Sequence, residues 1–122
     1  MLIDVSIGEI ADKISILVIK NERITDPEKL KNVQKELSLL VEAFPAEILI
    51  DKLYTELSSI NLSLWAIEDN IREYERLGDF NDEFVQLARE VYITNDKRAA
   101  VKKEINLKYG SDIVEEKSYQ QY

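Results

Sequence analysis

Apolar residues stand at Ile50, Leu53, Leu57, Ile60, Leu64, Ile67, Ile71 and Tyr74, alternately three and four apart, with no glycine or proline among them. That spacing is the seam of a helix that buries one stripe along its whole length. It stops at Leu77-Gly78, where glycine suits the left-handed position after a helix C-terminus. A helix from Pro45 to Leu77 is about 50 Å long at about 1.5 Å per residue. A compact chain of 122 residues is only about 35 Å across, from a radius of gyration of about 14 Å. The helix outruns the globule. Either the bundle is elongated, with two short helices stacked end to end against this one, or the seam continues into a second copy and the protein is a homodimer.

The remaining segments read as helices too. Ser6-x-x-Glu9 is a capping box, followed by Ile7, Ile10, Ile14 and Leu17, which gives a first helix from Ile7 to Arg23. Asp26-Pro27 supplies an N-cap and a first-turn proline for a second, from Pro27 to about Ala43, with Leu30, Val33, Leu37 and Leu40 inward; Phe44-Pro45 ends it. Asn81 or Asp82 caps a fourth helix that runs to about Tyr109 and is terminated by Gly110. Its stripe of Phe84, Leu87, Ala88 and Val91 gives way to Asn95, Arg98 and Lys102 before Ile105 resumes it. No segment alternates polar and apolar residues as a strand does. The fold class is all-α: an elongated bundle of about four helices with two long antiparallel ones, in a single domain spanning 1–122. Residues 111–122 have no period and form an irregular tail that packs through Ile113, Val114 and Tyr119 or stays mobile.

Composition removes whole classes of chemistry. The chain has no His and no Cys, hence no imidazole base, no thiol nucleophile, no His/Cys metal centre and no disulfide. Three separated glycines, Gly8, Gly78 and Gly110, cannot write a phosphate loop or a dinucleotide fingerprint, and no cofactor is expected. The net charge of −8 opposes nucleic acid as a partner. Charge is uneven, however: Lys97–Lys108 holds five cations against Glu104, a local basic stretch whose plainest explanation is a solvated helix face. Asp4 and Glu9 stand where a secretory signal needs cations, and no apolar run approaches a membrane span, so the expected location is cytoplasmic.

Polar residues on inward faces are the informative ones, because burial costs energy unless they are paired. Asn61, Trp65, Glu68 and Arg72 form one stripe beside the seam, with Asp69 adjacent. An antiparallel hairpin about residues 78–82 brings them toward Asn95, Asp96, Arg98 and Lys102. Two Arg, a Trp, amides and carboxylates together suit a small anion or an amino sugar; the same groups, mutually paired, equally make a register-fixing network. Glu9 and Asp12 are half of the acidic motif that holds Mg²⁺ in all-α nucleotide hydrolases, but no facing helix supplies the other half, and no metal is expected. Lys13 and Lys20, with Arg72, Arg98 and Lys102, could hold a dicarboxylate without metal or His, as some all-α enzymes do.

Several stretches resemble a small uncharacterised domain family: Ser6-Ile7-Gly8-Glu9 with Asp12-Lys13-Ile14-Ser15-Ile16-Leu17 and Lys20; Leu64-Trp65-x-Ile67-Glu68-Asp69-x-Ile71-Arg72; Gly78-Asp79-Phe80; Tyr92-x-Thr94-Asn95-Asp96-x-Arg98-Ala99 with Lys102-x-Glu104-Ile105-Asn106; and Gly110-Ser111 with Glu115-Glu116-Lys117-Ser118-Tyr119. Members occur in bacteria and their phages, alone or attached to repeat-containing and glycosyltransferase-like proteins. The resemblance spans all but Asp26 to Lys52 and carries no established activity. It implies that the polar stripe and Asp12, Lys13 and Lys20 form one feature, in a surface-polysaccharide or phage setting. Function is therefore open at this level: a non-catalytic binding or accessory module, or a small enzyme acting on an anionic substrate through Arg, Lys and carboxylate groups.

Overall fold

The computed structural model describes all 122 residues as five helices and no strand: α1 (Ile7–Arg23), α2 (Pro27–Ala43), α3 (Ala46–Leu49), α4 (Lys52–Leu77) and α5 (Asp82–Lys108). The punctuation read from the sequence operates as expected. Ser6 accepts from Glu9 N–H, Asp26 from Glu28 N–H and Asn81 from Phe84 N–H, each satisfying a donor that helix geometry leaves open. Gly78 ends α4 at φ 67°, a conformation that costs a side-chain-bearing residue and suits glycine.

The long seam is interrupted. The four-residue α3 ends at Leu49, and at Asp51 the chain restarts, its carboxylate accepting from Leu53 N–H at 2.8 Å as the N-cap of α4. An aspartate that can cap competes with helix continuation, and apolar spacing alone does not register that competition. Lysine and tyrosine then reward the break: Lys108 Nζ lies 2.5 Å from the Asp51 carboxylate, and the Tyr109 hydroxyl also donates to it. The result is a helix of 26 residues, about 39 Å long, and Ile50, the first residue of the expected seam, is exposed.

Of the rest of the seam, Leu53, Leu57 and Ile67 are buried inside the chain and Ile60, Leu64, Ile71 and Tyr74 are half-buried. α4 and α5 make the most extensive pairing, antiparallel, and α1 lies along both, its polar contacts running parallel to α4 and antiparallel to α5. Leu53, Leu57, Val101, Ile105, Ala11 and Ile48 form the core at the end where α1 begins and α5 finishes, with α3 closing that end. The two short helices are side by side instead of end to end: α2 folds back on α1 through Val33, and Gln34 bonds Asn21 across the pair. Three layers result, with α2 outermost. No helix is long and apolar enough to cross a membrane.

Gly8 has a role that its place in a first turn does not announce. A Cβ there would sit 2.5 Å from the Lys102 carbonyl oxygen and 2.9 Å from Asn106 Oδ1. The missing side chain lets α1 and α5 touch, and Asn106 Oδ1 accepts the Gly8 N–H at 2.6 Å.

The tail is irregular, as expected. Residues 112–122 form no helix; Val114 is half-buried, while Ile113 and Tyr119 are exposed. Polar contacts add to its hold. Lys103 pairs with Glu116 at 3.0 Å, and Tyr122 donates to Asp96 at 2.5 Å while its ring meets Tyr92 edge-on at 5.4 Å. The segment thus runs back along α5.

Candidate functional site

Close contact between α1 and α5 brings two carboxylates spaced i, i+3 opposite two cations spaced i, i+4. Glu9 meets Lys102 at 2.7 Å. Asp12, 1 % exposed, accepts from Arg98 through both Nε, at 2.9 Å, and Nη2. A planar fork on a planar carboxylate is the strongest common form of charge-assisted hydrogen bond. Asn61 from α4 completes the group, donating to Asp12 Oδ1 at 2.9 Å and to Ser15 Oγ at 2.6 Å. Ser15 in turn donates to the Asp12 carbonyl at 2.8 Å. Three helices are locked in register here, and no buried side-chain nitrogen or oxygen lacks a partner.

Asp12 raises the Arg98 pKa above its usual value, chiefly through the hydrogen bonds, against a smaller opposing effect of burial; Glu9 and Glu115 add to the rise. Nε and Nη2 are committed to Asp12, and Nη1 has no partner within the chain. Since no buried polar atom is unpaired, Nη1 faces solvent. Arg98 is therefore a guanidinium clamped on one edge and open on the other.

Two clefts meet at it. One, of about 460 Å³, is framed by Asn61, Trp65, Glu68, Asp69 and Arg72 of α4, with Ile16, Asn95 and Arg98 opposite. The other, of about 280 Å³, lies between α5 and the tail, and is lined by Asn95, Asp96, Arg98, Lys102, Glu115 and Lys117 among others. Asn95 and Arg98 belong to both. The first is lined by an indole, two amides, of which Asn61 is buried, two guanidinium groups and two carboxylates, the mixture that recognises a polar ring. Arg72 is 78 % exposed and pairs only with Glu68 at 3.3 Å, so its side chain is free to reorient.

Over residues 1–122 the chain matches the model of a family described as "Family of unknown function (DUF6165)". The chain belongs to this family. No curated protein and no solved structure matches it. Family membership covers the whole length, so α3 and the tail belong to the DUF6165 domain as much as the long hairpin does.

In this DUF6165 domain the residues singled out by sequence divide into four sets. Asn61, Trp65, Glu68, Asp69, Arg72, Asn95 and Arg98 do share one cleft. Asp96 and Lys102 fall on the tail side of α5 instead. Glu9 and Asp12 join Arg98 and Lys102 from below, and cations stand where a Mg²⁺ reading of that acidic pair needs further carboxylates; no group of three or more such ligands converges. Lys13 and Lys20 stay apart. Lys13 faces α2, 3.6 Å from Glu36, and Lys20 lies in the last turn of α1, where a cation complements the helix dipole. Ser15, Asn106 and Glu115 stand in the stretches that carry the family resemblance, but the sequence does not single them out as site residues. The pairing of Glu-x-x-Asp in α1 with Arg-x-x-x-Lys in α5 becomes visible only once the helices are in register.

Proposed function

We propose that this is a non-catalytic binding domain whose ligand is a small ring compound bearing a carboxylate or phosphate, such as an acidic or phosphorylated sugar. The observation that carries the reading is Arg98: its guanidinium is oriented by buried Asp12, Nη1 has no partner in the chain, and the residue lines the cleft that Trp65 also lines. An arginine already held in place loses little side-chain freedom on binding, and its planar fork matches a carboxylate or phosphate. The ring would lie on Trp65, with Asn61, Asn95, Glu68 and Asp69 available to hydroxyl groups. The surface-polysaccharide setting implied by the sequence resemblance fits this chemistry. An enzymatic role for the same groups is less well supported, because Asp12, the carboxylate nearest Arg98, is engaged by Asn61 and Arg98 and has no freedom to move a proton.

Calorimetric titration with a uronic acid, a hexose phosphate and the parent neutral hexose tests the proposal. Saturable binding of the two anions, weakened about tenfold by Trp65→Ala, that is by about 1.4 kcal/mol, is the expected result. Equal behaviour of all three sugars overturns it.

A further inference from the structure

Glu115 sits in an unusual place for a carboxylate. Arg98 and Lys102 are already neutralised by Asp12 and Glu9, yet a third anion, from the tail, comes within 3.9 Å of Lys102 Nζ. Lys102 is only 11 % exposed at its side chain, so this contact is made at the mouth of a largely covered cation. Lys117 compensates part of the added charge at 3.0 Å, and Glu115 titrates below its usual value, first because of Lys117 and then because of Lys102. The carboxylate is thus held ionised at a cleft that Arg98, Lys102, Asn95 and the Tyr122-bonded Asp96 also line.

The tail that delivers it is tied at both ends and held between them by surface ion pairs, Lys103 with Glu116 at 3.0 Å among them. At its start Ser111 accepts the Ile7 N–H at 3.0 Å; at its end Tyr122 bonds Asp96 and packs on Tyr92. Beyond Ser111 its backbone makes no backbone hydrogen bond, and Glu116 and Lys117 are exposed. Contacts of this kind, ion pairs at the surface and one aromatic pair, are individually weak and open readily.

We infer that the cleft between α5 and the tail is an oxyanion site whose resident occupant is the chain's own Glu115, so that a free phosphate or carboxylate enters by displacing the tail. The inference rests on the reading above for the role of Arg98, and does not need the Trp65 cleft. Glu115 is a tethered competitor at a local concentration of about millimolar, the usual value for a short flexible tether. An anion that binds through Arg98 and Lys102 must overcome it. Removal of the Glu115 charge therefore tightens anion binding, and a bound anion frees the tail.

Inorganic phosphate, titrated against chloride at matched ionic strength, distinguishes the two states. The readouts are the Arg98 Nε–H resonance and the rate of trypsin cleavage after Lys117, in the wild-type chain and in Glu115→Gln. Phosphate, and not chloride, is expected to shift the resonance and accelerate cleavage in the wild type. Glu115→Gln is expected to bind phosphate severalfold more tightly and to be cleaved quickly without it. Tyr122→Phe, which loses the bond to Asp96 and leaves Glu115 intact, should also speed cleavage. Equal effects of phosphate and chloride, or unchanged phosphate affinity in Glu115→Gln, overturn the inference. Phosphate-driven opening with no uronic acid bound at Trp65 leaves this site standing and removes the ring-binding proposal; the converse removes this site alone.

Discussion

Asp12 and Lys13 are neighbours in sequence with opposite energetic weight. Asp12 is buried beneath two cations and an amide, so removal of its carboxylate strands the Arg98 guanidinium and takes one acceptor from Asn61. Asp12→Ala should cost about 3–5 kcal/mol in urea unfolding, the usual penalty for breaking a buried, hydrogen-bonded ion pair. Lys13→Ala loses a half-exposed partner at 3.6 Å from Glu36 and should change stability by less than about 0.5 kcal/mol. Comparable losses for the two would contradict this account of the interior. The sequence shows both residues plainly but not their ranking. A carboxylate pair three residues apart reads the same whether it faces a metal, solvent or cations; only the pairing of α1 with α5 brings Arg98 and Lys102 to it.

Helix boundaries that rest on a local cap, at Ser6, Asp26, Gly78 and Asn81, were legible because each cap acts within four residues of itself. Asp51 was not, since the groups that stabilise its break, Lys108 and Tyr109, lie more than fifty residues away. They depress its pKa far below the ordinary carboxylate range, Lys108 first, then Tyr109, then the Leu53 N–H. A depressed folded-state pKa contributes stability that is complete above the unfolded value, about 3.9, and is lost as pH falls through the folded value. Acidification below about pH 4 should therefore lower the thermal midpoint more steeply in the wild type than in Asp51→Asn. Parallel acid limbs would mean that the corner is not held by this charge. Gly8 makes a second test at the level of the element. Gly8→Ala places a methyl group against the Lys102 carbonyl, so α1 must lift from α5, at a cost of about 2 kcal/mol or more, although alanine is the better helix former.

At the scale of the molecule, the all-α class and the long antiparallel hairpin followed from periodicity, whereas the arrangement of the shorter helices did not. Of the seam, Leu53, Leu57 and Ile67 are buried by α5 and α1, whereas Ile60, Leu64, Ile71 and Tyr74 are half-buried and Ile50 is exposed. Light scattering at micromolar concentration tests the homodimer: a mass twice the 14.2 kDa of one chain is expected if these incompletely covered residues pair two copies, and 14.2 kDa would contradict it. The polar stripe was legible as residues and illegible as a site, because the spacing that brings Trp65 toward Asn95 does not reveal that Asp12 takes one edge of Arg98 and leaves the other free. That free edge is the central claim. It is tested most directly by nuclear magnetic resonance, following the Arg98 Nε–H and the Trp65 indole N–H together as a uronic acid is added. The account predicts that both resonances move on one saturable curve while Lys13, on the opposite face of α1, stays still. Resonances that stay fixed at millimolar ligand, or that move no more than Lys13 does, would contradict it.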